Sequence, residues 1–312
     1  MSSDLSLHTS IASNQQIVHR VPVSKVIDTS GGRTFSESFG SSKNPPVLLL
    51  MGSGCQGLIW PNAFCGKLAN RGFFVIRFDQ RDTGRTVYIE DKQQPYDIKD
   101  LAQDALAVLD GYGIQKAHCI GFSMGGIVAQ FIEGIARERA MSLTLISTST
   151  TVKPFFNAFA KIFNDKDLSP PKERYITWLL EKPSDETSEE KINNFMQRWR
   201  LLNGEETPFD EDFYLKLAEE NFKYAKGNSF PSHSTAMRNS YKDHANAALN
   251  IKCPTLIIQP SADPLFGVDH GKSLQKAISH SKFIEIEGMG HAITPKYYDT
   301  LITAFTDHLN PL

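Results

Sequence analysis

Short, largely apolar runs recur along the chain and alternate with amphipathic segments. Residues 47–50 and 255–259 are runs of the kind that forms strands buried on both faces of a parallel sheet. Residues 97–109 instead place apolar side chains at helical spacing. This alternation predicts an α/β fold, with a mostly parallel twisted sheet and helices on both of its faces. The predicted strands are residues 16–26, 33–39, 47–50, 73–78, 117–120, 143–147, 255–259 and 282–286.

The alternation stops between residues 150 and 243, where the sequence is helical and more polar. A capping box at Thr187 and Glu190 predicts the start of one helix, and Ile192 begins an apolar series at helical spacing. We predict a helical cap at residues 150–243, inserted into a core formed by residues 1–149 and 244–312. Aromatic side chains in this region predict an apolar pocket wall. They are Phe155, Phe156, Phe159, Phe163, Trp178, Phe195 and Trp199.

Residues 117–126 combine a predicted strand, a Gly-x-Ser-x-Gly turn and the start of an apolar helix. In this context the pattern is a nucleophile elbow, which holds a serine on a strained strand-to-helix turn. Gly121 and Gly125 leave room where a Cβ atom would collide across the turn. Ser123 is therefore the predicted nucleophile.

Two further candidate residues, an acid and then a histidine, follow predicted strands later in the chain. Asp263 comes after the strand at 255–259, and His291 comes after the strand at 282–286. Functional groups gather at the carboxyl ends of parallel strands, so we predict a Ser123–His291–Asp263 triad. For the other histidines we predict structural or solvated roles; these include His118, His233, His244, His270 and His280.

The tetrahedral intermediate of such a reaction needs backbone N–H donors directed at its oxygen. The amide of Met124, directly after the nucleophile, is one predicted donor. The second is predicted from the loop after residue 50, with Ser53 first and Gly52 next.

Composition narrows the possible partners. The chain has 312 residues, a net charge of −2 and 40% hydrophobic residues, so nothing in it favours binding to nucleic acid or an anionic membrane. Its apolar runs are too short for a membrane span, and residues 1–16 do not have the pattern of a secretory signal. The four cysteines have no metal-binding spacing, and we expect free thiols in a reducing cytoplasm. We predict no metal and no cofactor.

The elbow, the segment Gly288-Met289-Gly290-His291 and the turn at residues 79–85 carry a resemblance to a known family. The chain resembles the α/β-hydrolase superfamily, and most closely its aclacinomycin methylesterase-like serine esterases, over about residues 47–291. The resemblance implies methyl-ester cleavage on a polyketide by the same triad. Many hydrolases begin the donor loop with His-Gly, whereas this chain has Met51-Gly52. The 79–85 turn is also similar to that of proline iminopeptidases, and we interpret it as a buried turn that fastens the sheet by salt bridges.

The expected function is hydrolysis of a small or medium carboxylic ester through an acyl-enzyme. Two alternatives stay open. A peptidase of the iminopeptidase kind would need acidic cap residues for a substrate ammonium, and Glu189, Glu190, Glu205 and Glu206 are candidates. A ligand receptor on a hydrolase scaffold would have the fold without turnover. The sequence does not predict an oligomeric state.

Overall fold

A computed structural model describes residues 21–88, 95–162, 164, 168–181, 185–225 and 232–309 of the protein. Within these residues nine strands form one sheet, in the order β1-β2-β4-β3-β6-β7-β8-β9, with β5 paired to β2. The strands are β1 Val23–Thr29, β2 Gly32–Phe39, β3 Pro46–Leu50, β4 Phe74–Phe78, β5 Val87–Tyr88, β6 Ala117–Phe122, β7 Ala140–Ile146, β8 Thr255–Pro260 and β9 Lys282–Ile286.

The pairs from β4 through β3, β6, β7 and β8 to β9 are parallel, and β2 joins β1, β4 and β5 antiparallel. The helices are α1 Asn62–Asn70, α2 Ile98–Gly111, α3 Met124–Ile135, α4 Lys153–Phe159, α5 Glu173–Glu181, α6 Ser188–Leu202, α7 Glu211–Tyr224, α8 His233–Asn250, α9 Val268–Ala277 and α10 Tyr298–Leu309. The predicted α/β fold with its mostly parallel sheet is confirmed.

Alternate residues of the central strands enter two separate apolar layers. Val47 and Leu49 of β3 pack in the cluster that contains α1 and α10 side chains. Leu48 and Leu50 pack in the cluster that contains α2 and α3 side chains. Because successive strand residues point to opposite faces, a run without polar residues covers both faces at once. This is why the apolar runs predicted the central strands.

The ends of several elements differ from the sequence prediction. Residues 16–20 of the first predicted strand lie outside the described residues, and β1 continues to Thr29. Helix α1 begins at Asn62, after a separate 3-10 turn at Gly57–Ile59. Thr294 precedes a 3-10 turn, Pro295–Tyr297, and makes no side-chain cap hydrogen bond.

Residues 150–243 contain α4 to α7 and most of α8, and the described part of this region has no strand. The predicted capping box opens α6, with Thr187 and Glu190 each accepting from the other's backbone N–H. The division between core and cap stays a prediction. Residue 243 lies inside α8, which packs against α2 and α3.

The polar turn after β4 is buried and tied to the sheet. Arg81 forms a salt bridge with Asp104, which joins the turn to helix α2 rather than to another strand. Asp79 accepts instead from two backbone amides, Gly57 at 2.7 Å and Arg85 at 2.8 Å. Burial raises the pKa of this carboxyl to about 6.

Candidate active site

Ser123 lies between β6 and α3 with φ 56° and ψ −121°, a conformation that a side-chain-bearing residue rarely adopts. Its neighbours explain how the backbone reaches it. A Cβ added to Gly121 would lie 2.3 Å from the Gly125 carbonyl oxygen. A Cβ added to Gly125 would lie 2.2 Å from the Leu50 carbonyl oxygen. Only glycine fits at both positions, and the serine is thereby held at the end of the central strand.

Asp263 and His291 meet at the carboxyl ends of β8 and β9. His291 Nδ1–H donates to Asp263 Oδ2 at 2.8 Å, and both side chains are buried. The other carboxylate oxygen accepts from the amides of Leu265 at 2.8 Å and Phe266 at 3.0 Å. The carboxylate is therefore fixed, and its bond to Nδ1 leaves Nε2 as the nitrogen that can accept a proton.

The imidazole of His291 is held by packing as well as by Asp263. Its ring lies 4.8 Å from the Phe122 ring and 5.7 Å from the Phe266 ring, measured between centroids. Its backbone N–H donates to the Leu202 carbonyl at the end of α6, at 2.7 Å. Contacts from β6, the loop after β8 and the end of α6 thus hold His291 in place.

Ser123 and His291 line the same cavity, whose volume is about 540 Å³. Among the hydrogen bonds of the described residues, none joins the Ser123 hydroxyl to His291. Catalytic hydrogen bonds are often long in the absence of substrate and shorten in the complex. The structure therefore brings all three predicted triad residues to one site, with the Asp263–His291 contact formed.

The predicted donors also border Ser123. Met124 is the first residue of α3, and the first amides of a helix have no partner within it. Gly52 passes directly beside the serine, since an added Cβ would lie 3.2 Å from Ser123 Cβ. Gly52, Ser53 and Met124 all line the cavity. Their role as oxyanion donors stays a prediction.

The cavity wall is mainly apolar and comes largely from helices α4, α5, α6 and α8. Four of the predicted aromatic residues line it: Phe155, Phe156, Phe159 and Trp199. Two others lie elsewhere. Trp178 borders a separate shallow groove, and Phe195 packs between Trp199 and Phe222. Phe163 lies outside the described residues.

The sequence analysis missed two arginines in this wall. Arg198 of α6 is partly buried and donates to the Ser53 carbonyl at 3.1 Å, and Arg238 of α8 is exposed beside the Phe156 ring. Among the described lining residues, none is an aspartate or a glutamate. The four glutamates proposed for an ammonium site are elsewhere: Glu190 caps α6, Glu205 pairs with Arg174, and Glu189 and Glu206 are exposed.

The remaining histidines of the prediction make structural contacts. His118 hydrogen bonds to the Ser142 hydroxyl, and His270 bonds to Ser149 and to the Ser169 carbonyl. Burial lowers the pKa of His118 and His233 to about 4. Both rings are therefore neutral at neutral pH.

None of the helices in the described part of the chain has the length and hydrophobicity to cross a membrane.

A family model described as alpha/beta hydrolase fold matches residues 45–294. The chain belongs to this family. Two α/β-hydrolases are similar over nearly the whole chain: rhodomycin D methylesterase DnrP of Streptomyces peucetius, 31% identical, and DauP of Streptomyces sp. (strain C5), 32% identical. Each match covers 88% of this chain and 94% of the relative. They confirm the resemblance to methylesterases and the enzyme class: this α/β-hydrolase is an ester hydrolase.

Solved structures show the same fold at low sequence identity. The 2-hydroxy-6-oxo-6-phenylhexa-2,4-dienoate hydrolase of Rhodococcus sp. strain RHA1 superposes with a TM-score of 0.70 at 17% identity, covering 93% of this chain and 99% of that one. An esterase from Exiguobacterium antarcticum gives 0.68 at 15% identity, covering 92% and 99%.

Proposed function

We propose that the protein hydrolyses carboxylic esters of an apolar acid and a small alcohol, through an acyl-enzyme on Ser123. The observation that carries the proposal is a single cavity lined by a strained serine and by a histidine bonded to a buried carboxylate. Two relatives named rhodomycin D methylesterases support methanol as the alcohol. Only the alcohol is taken from these relatives. The acid is not, because the acyl group would be selected by the side chains that line this cavity.

In the proposed mechanism, Ser123 Oγ attacks the ester carbonyl carbon while its proton passes to His291 Nε2. Asp263 keeps the proton on Nδ1 and stabilises the imidazolium. The amide of Met124, with that of Ser53 or Gly52, binds the oxyanion. The alcohol leaves with the proton from Nε2. Water then gives a proton to His291 Nε2 and attacks the acyl carbon. The bond from that carbon to Ser123 Oγ breaks, the acid is released, and His291 returns the proton to Oγ.

The lining of the cavity favours an ester over an amino-acyl amide. Its volume of about 540 Å³ suits a drug-sized ligand, since such pockets measure roughly 300–1,000 Å³. A peptidase of the iminopeptidase kind must bind a substrate ammonium, and the charged side chains at this wall, Arg198 and Arg238, are cations. Apolar acyl groups gain roughly 25 cal/mol for each Å² buried against such a wall.

Ser123→Ala tests the nucleophile, and the chain offers a matched control. Ser147 follows the neighbouring strand β7, has φ 49° and is buried, and its hydroxyl has no hydrogen-bond partner among the described residues. We expect Ser123→Ala to lower kcat by at least about 10³-fold on p-nitrophenyl esters. We expect Ser147→Ala to keep the wild-type rate. Full activity in purified Ser123→Ala would refute the proposal.

Substrate choice separates the remaining alternatives. We expect kcat/KM to rise with acyl length and to be higher for methyl esters than for esters of bulky alcohols. Faster turnover of amino-acyl naphthylamides than of any ester would favour the peptidase. A fluorophosphonate probe should label wild type and Ser147→Ala but not Ser123→Ala. A folded wild-type protein that resists this probe would instead support the receptor.

A further inference from the structure

The loop that follows β3 closes as a tight turn at Gly52–Cys55. The Cys55 amide donates to the Gly52 carbonyl at 3.3 Å, which joins the first and fourth residues. Gly54, the third residue, has φ +69°, whereas Ser53 is not among the described residues with positive φ. These φ signs are those of a type II turn. A type I turn differs from it by rotation of the central peptide, here the Ser53–Gly54 peptide.

Two cap side chains bind that central peptide from its two ends. Arg198 Nη2 of α6 donates to the Ser53 carbonyl at 3.1 Å. The Gly54 N–H donates to His233 Nδ1, at the start of α8, at 3.0 Å. The C=O and N–H of a trans peptide point in opposite directions, so these contacts together oppose its rotation.

The hydrogen-bond roles of both side chains agree with this arrangement. Arginine carries only donors, as the Ser53 carbonyl requires. His233 must accept at Nδ1, so its proton is on Nε2, which donates to the Arg81 carbonyl at 2.8 Å. The ring is fully buried, and burial lowers its pKa to about 4 despite the nearby Asp82 carboxylate. The edge-on Tyr96 ring closes another side, 6.4 Å away between centroids.

The preceding peptide, Met51–Gly52, is held as well. Gln80 Nε2, from the turn after β4, donates to the Met51 carbonyl at 2.8 Å. The Gly52–Ser53 peptide lies between these two fixed peptides, and it carries the Ser53 N–H. Its direction is therefore set from both sides. An oxyanion donor must point at the developing charge before the reaction, since reorientation during the step costs rate.

We propose that Arg198 and His233 are positioning residues that clamp the Ser53–Gly54 peptide, and so direct the oxyanion donor of the 52–55 turn. The proposal rests on the proposed function, because it assigns a role in stabilising the oxyanion of ester hydrolysis. It makes catalysis dependent on two cap helices that need not touch the reacting atoms. Neither side chain transfers a proton or forms a bond to substrate in this role.

Paired substitutions test the clamp. Arg198→Met and His233→Leu remove the contacts, whereas Arg198→Lys keeps a donor and His233→Asn keeps an acceptor near the Nδ1 position. We expect each disruptive variant to lower kcat by about 10- to 100-fold at nearly constant KM, part of the roughly 10²- to 10³-fold effect of deleting an oxyanion donor. Affinity for a trifluoromethyl ketone, which forms the tetrahedral adduct, should fall by the same factor. The conservative variants should recover at least part of the rate.

The double variant and a distant histidine provide controls. Because both contacts hold one peptide, Arg198→Met/His233→Leu should lose little more than the worse single variant. His118→Leu removes another buried, hydrogen-bonded histidine at the opposite end of β6 and should leave kcat unchanged. Wild-type kcat in both folded disruptive variants would overturn the clamp. So would equal losses for His233→Asn and His233→Leu.

Hydrogen exchange at the Gly54 amide gives a readout that does not depend on activity. We expect protection in wild type and His233→Asn, and faster exchange in Arg198→Met and His233→Leu. If His233→Leu fails to fold, the Arg198 pair still decides the outcome. A wild-type protein without esterase activity but with these exchange differences would refute the proposed function and leave the clamp geometry standing. An active wild type whose Gly54 amide exchanges equally in all variants would refute the clamp alone.

Discussion

Mild acid should destabilise this fold strongly, because three histidines are neutral in its interior. His118, His233 and His244 have exposed fractions of 5%, 0% and 1%. Burial lowers the pKa of the first two to about 4 and that of His244 to about 3, from an ordinary value of 6.5. Between pH 6.5 and 4 the unfolded chain therefore binds more protons than the folded chain. The free energy of unfolding decreases as the pH is lowered through this range.

The size of the loss follows from these values. At pH 5 a histidine with a pKa of 6.5 is almost fully protonated, whereas one with a pKa of about 4 is mostly neutral. Each histidine then lowers the free energy of unfolding by about 2 kcal/mol relative to pH 8, and the three together lower it by about 6 kcal/mol. Asp79 acts in the opposite direction. Burial raises the pKa of Asp79 from 3.8 to about 6 in the fold. The folded chain therefore binds the additional proton at pH 5, which raises the free energy of unfolding by about 1.4 kcal/mol relative to pH 8.

The expected net loss between pH 8 and pH 5 is about 4.5 kcal/mol, a large part of the roughly 5–15 kcal/mol that stabilises a typical protein. Burial also lowers the pKa of His270 and His308, which adds to the loss. Equilibrium unfolding in guanidinium, followed by tryptophan fluorescence at the two pH values, measures it. In His118→Asn the decrease in the free energy of unfolding between pH 8 and pH 5 should be smaller by about 2 kcal/mol. The difference in this free energy between wild type and variant at pH 8 measures the packing that the substitution removes. A wild-type loss below about 2 kcal/mol would refute the reasoning.

Two substitutions at the site have matched controls. Asp263→Asn should lower kcat by about 10³- to 10⁴-fold in steady-state assays, because an amide N–H at this position would force the histidine proton onto Nε2. Asp269→Asn, which removes a carboxylate that binds Ser169, should keep the rate; a wild-type rate in Asp263→Asn would place the acid elsewhere. Gly125→Ala, whose Cβ would lie 2.2 Å from the Leu50 carbonyl, should lose both activity and thermal stability. Gly66→Ala in α1 meets nothing within 4 Å and should be neutral or stabilising by up to about 1 kcal/mol; equal melting temperatures for both alanine variants would contradict the steric argument.

The position of Ser123, Asp263 and His291 at one edge of the sheet could be predicted because each follows a sequence signal that acts locally. The elbow requires glycine on both sides of Ser123, since its backbone passes within van der Waals distance of β3 and of its own helix. Asp263 and His291 directly follow strands that were visible as apolar or alternating runs. Parallel pairing then brings the strand ends to the same edge without further information.

The contacts that join helices α6 and α8 to the loop after β3 could not be predicted in this way. Arg198 reaches Ser53 across 145 positions, and His233 reaches Gly54 across 179. Nothing near either residue in sequence identifies its partner, because helix packing decides which loop the side chain meets. For His233 we predicted a structural or solvated role; its buried hydrogen bonds fit the first, but the sequence did not identify the turn that it contacts. The cap aromatics show the same limit, since Phe155 lines the cavity and Phe195 does not.

Helix α6 contacts both loops that the proposed reaction uses. Leu202, in its last turn, accepts the backbone N–H of His291, and Arg198, one turn earlier, donates to Ser53. Between them Trp199 faces the cavity where the acyl group would lie. A substitution that reshapes this wall for another acid therefore also moves the supports of the general base and of the oxyanion loop. Acyl specificity and turnover should change together when α6 is altered, whereas changes in α4, where Phe155 and Phe159 line the cavity, can alter specificity with less effect on turnover.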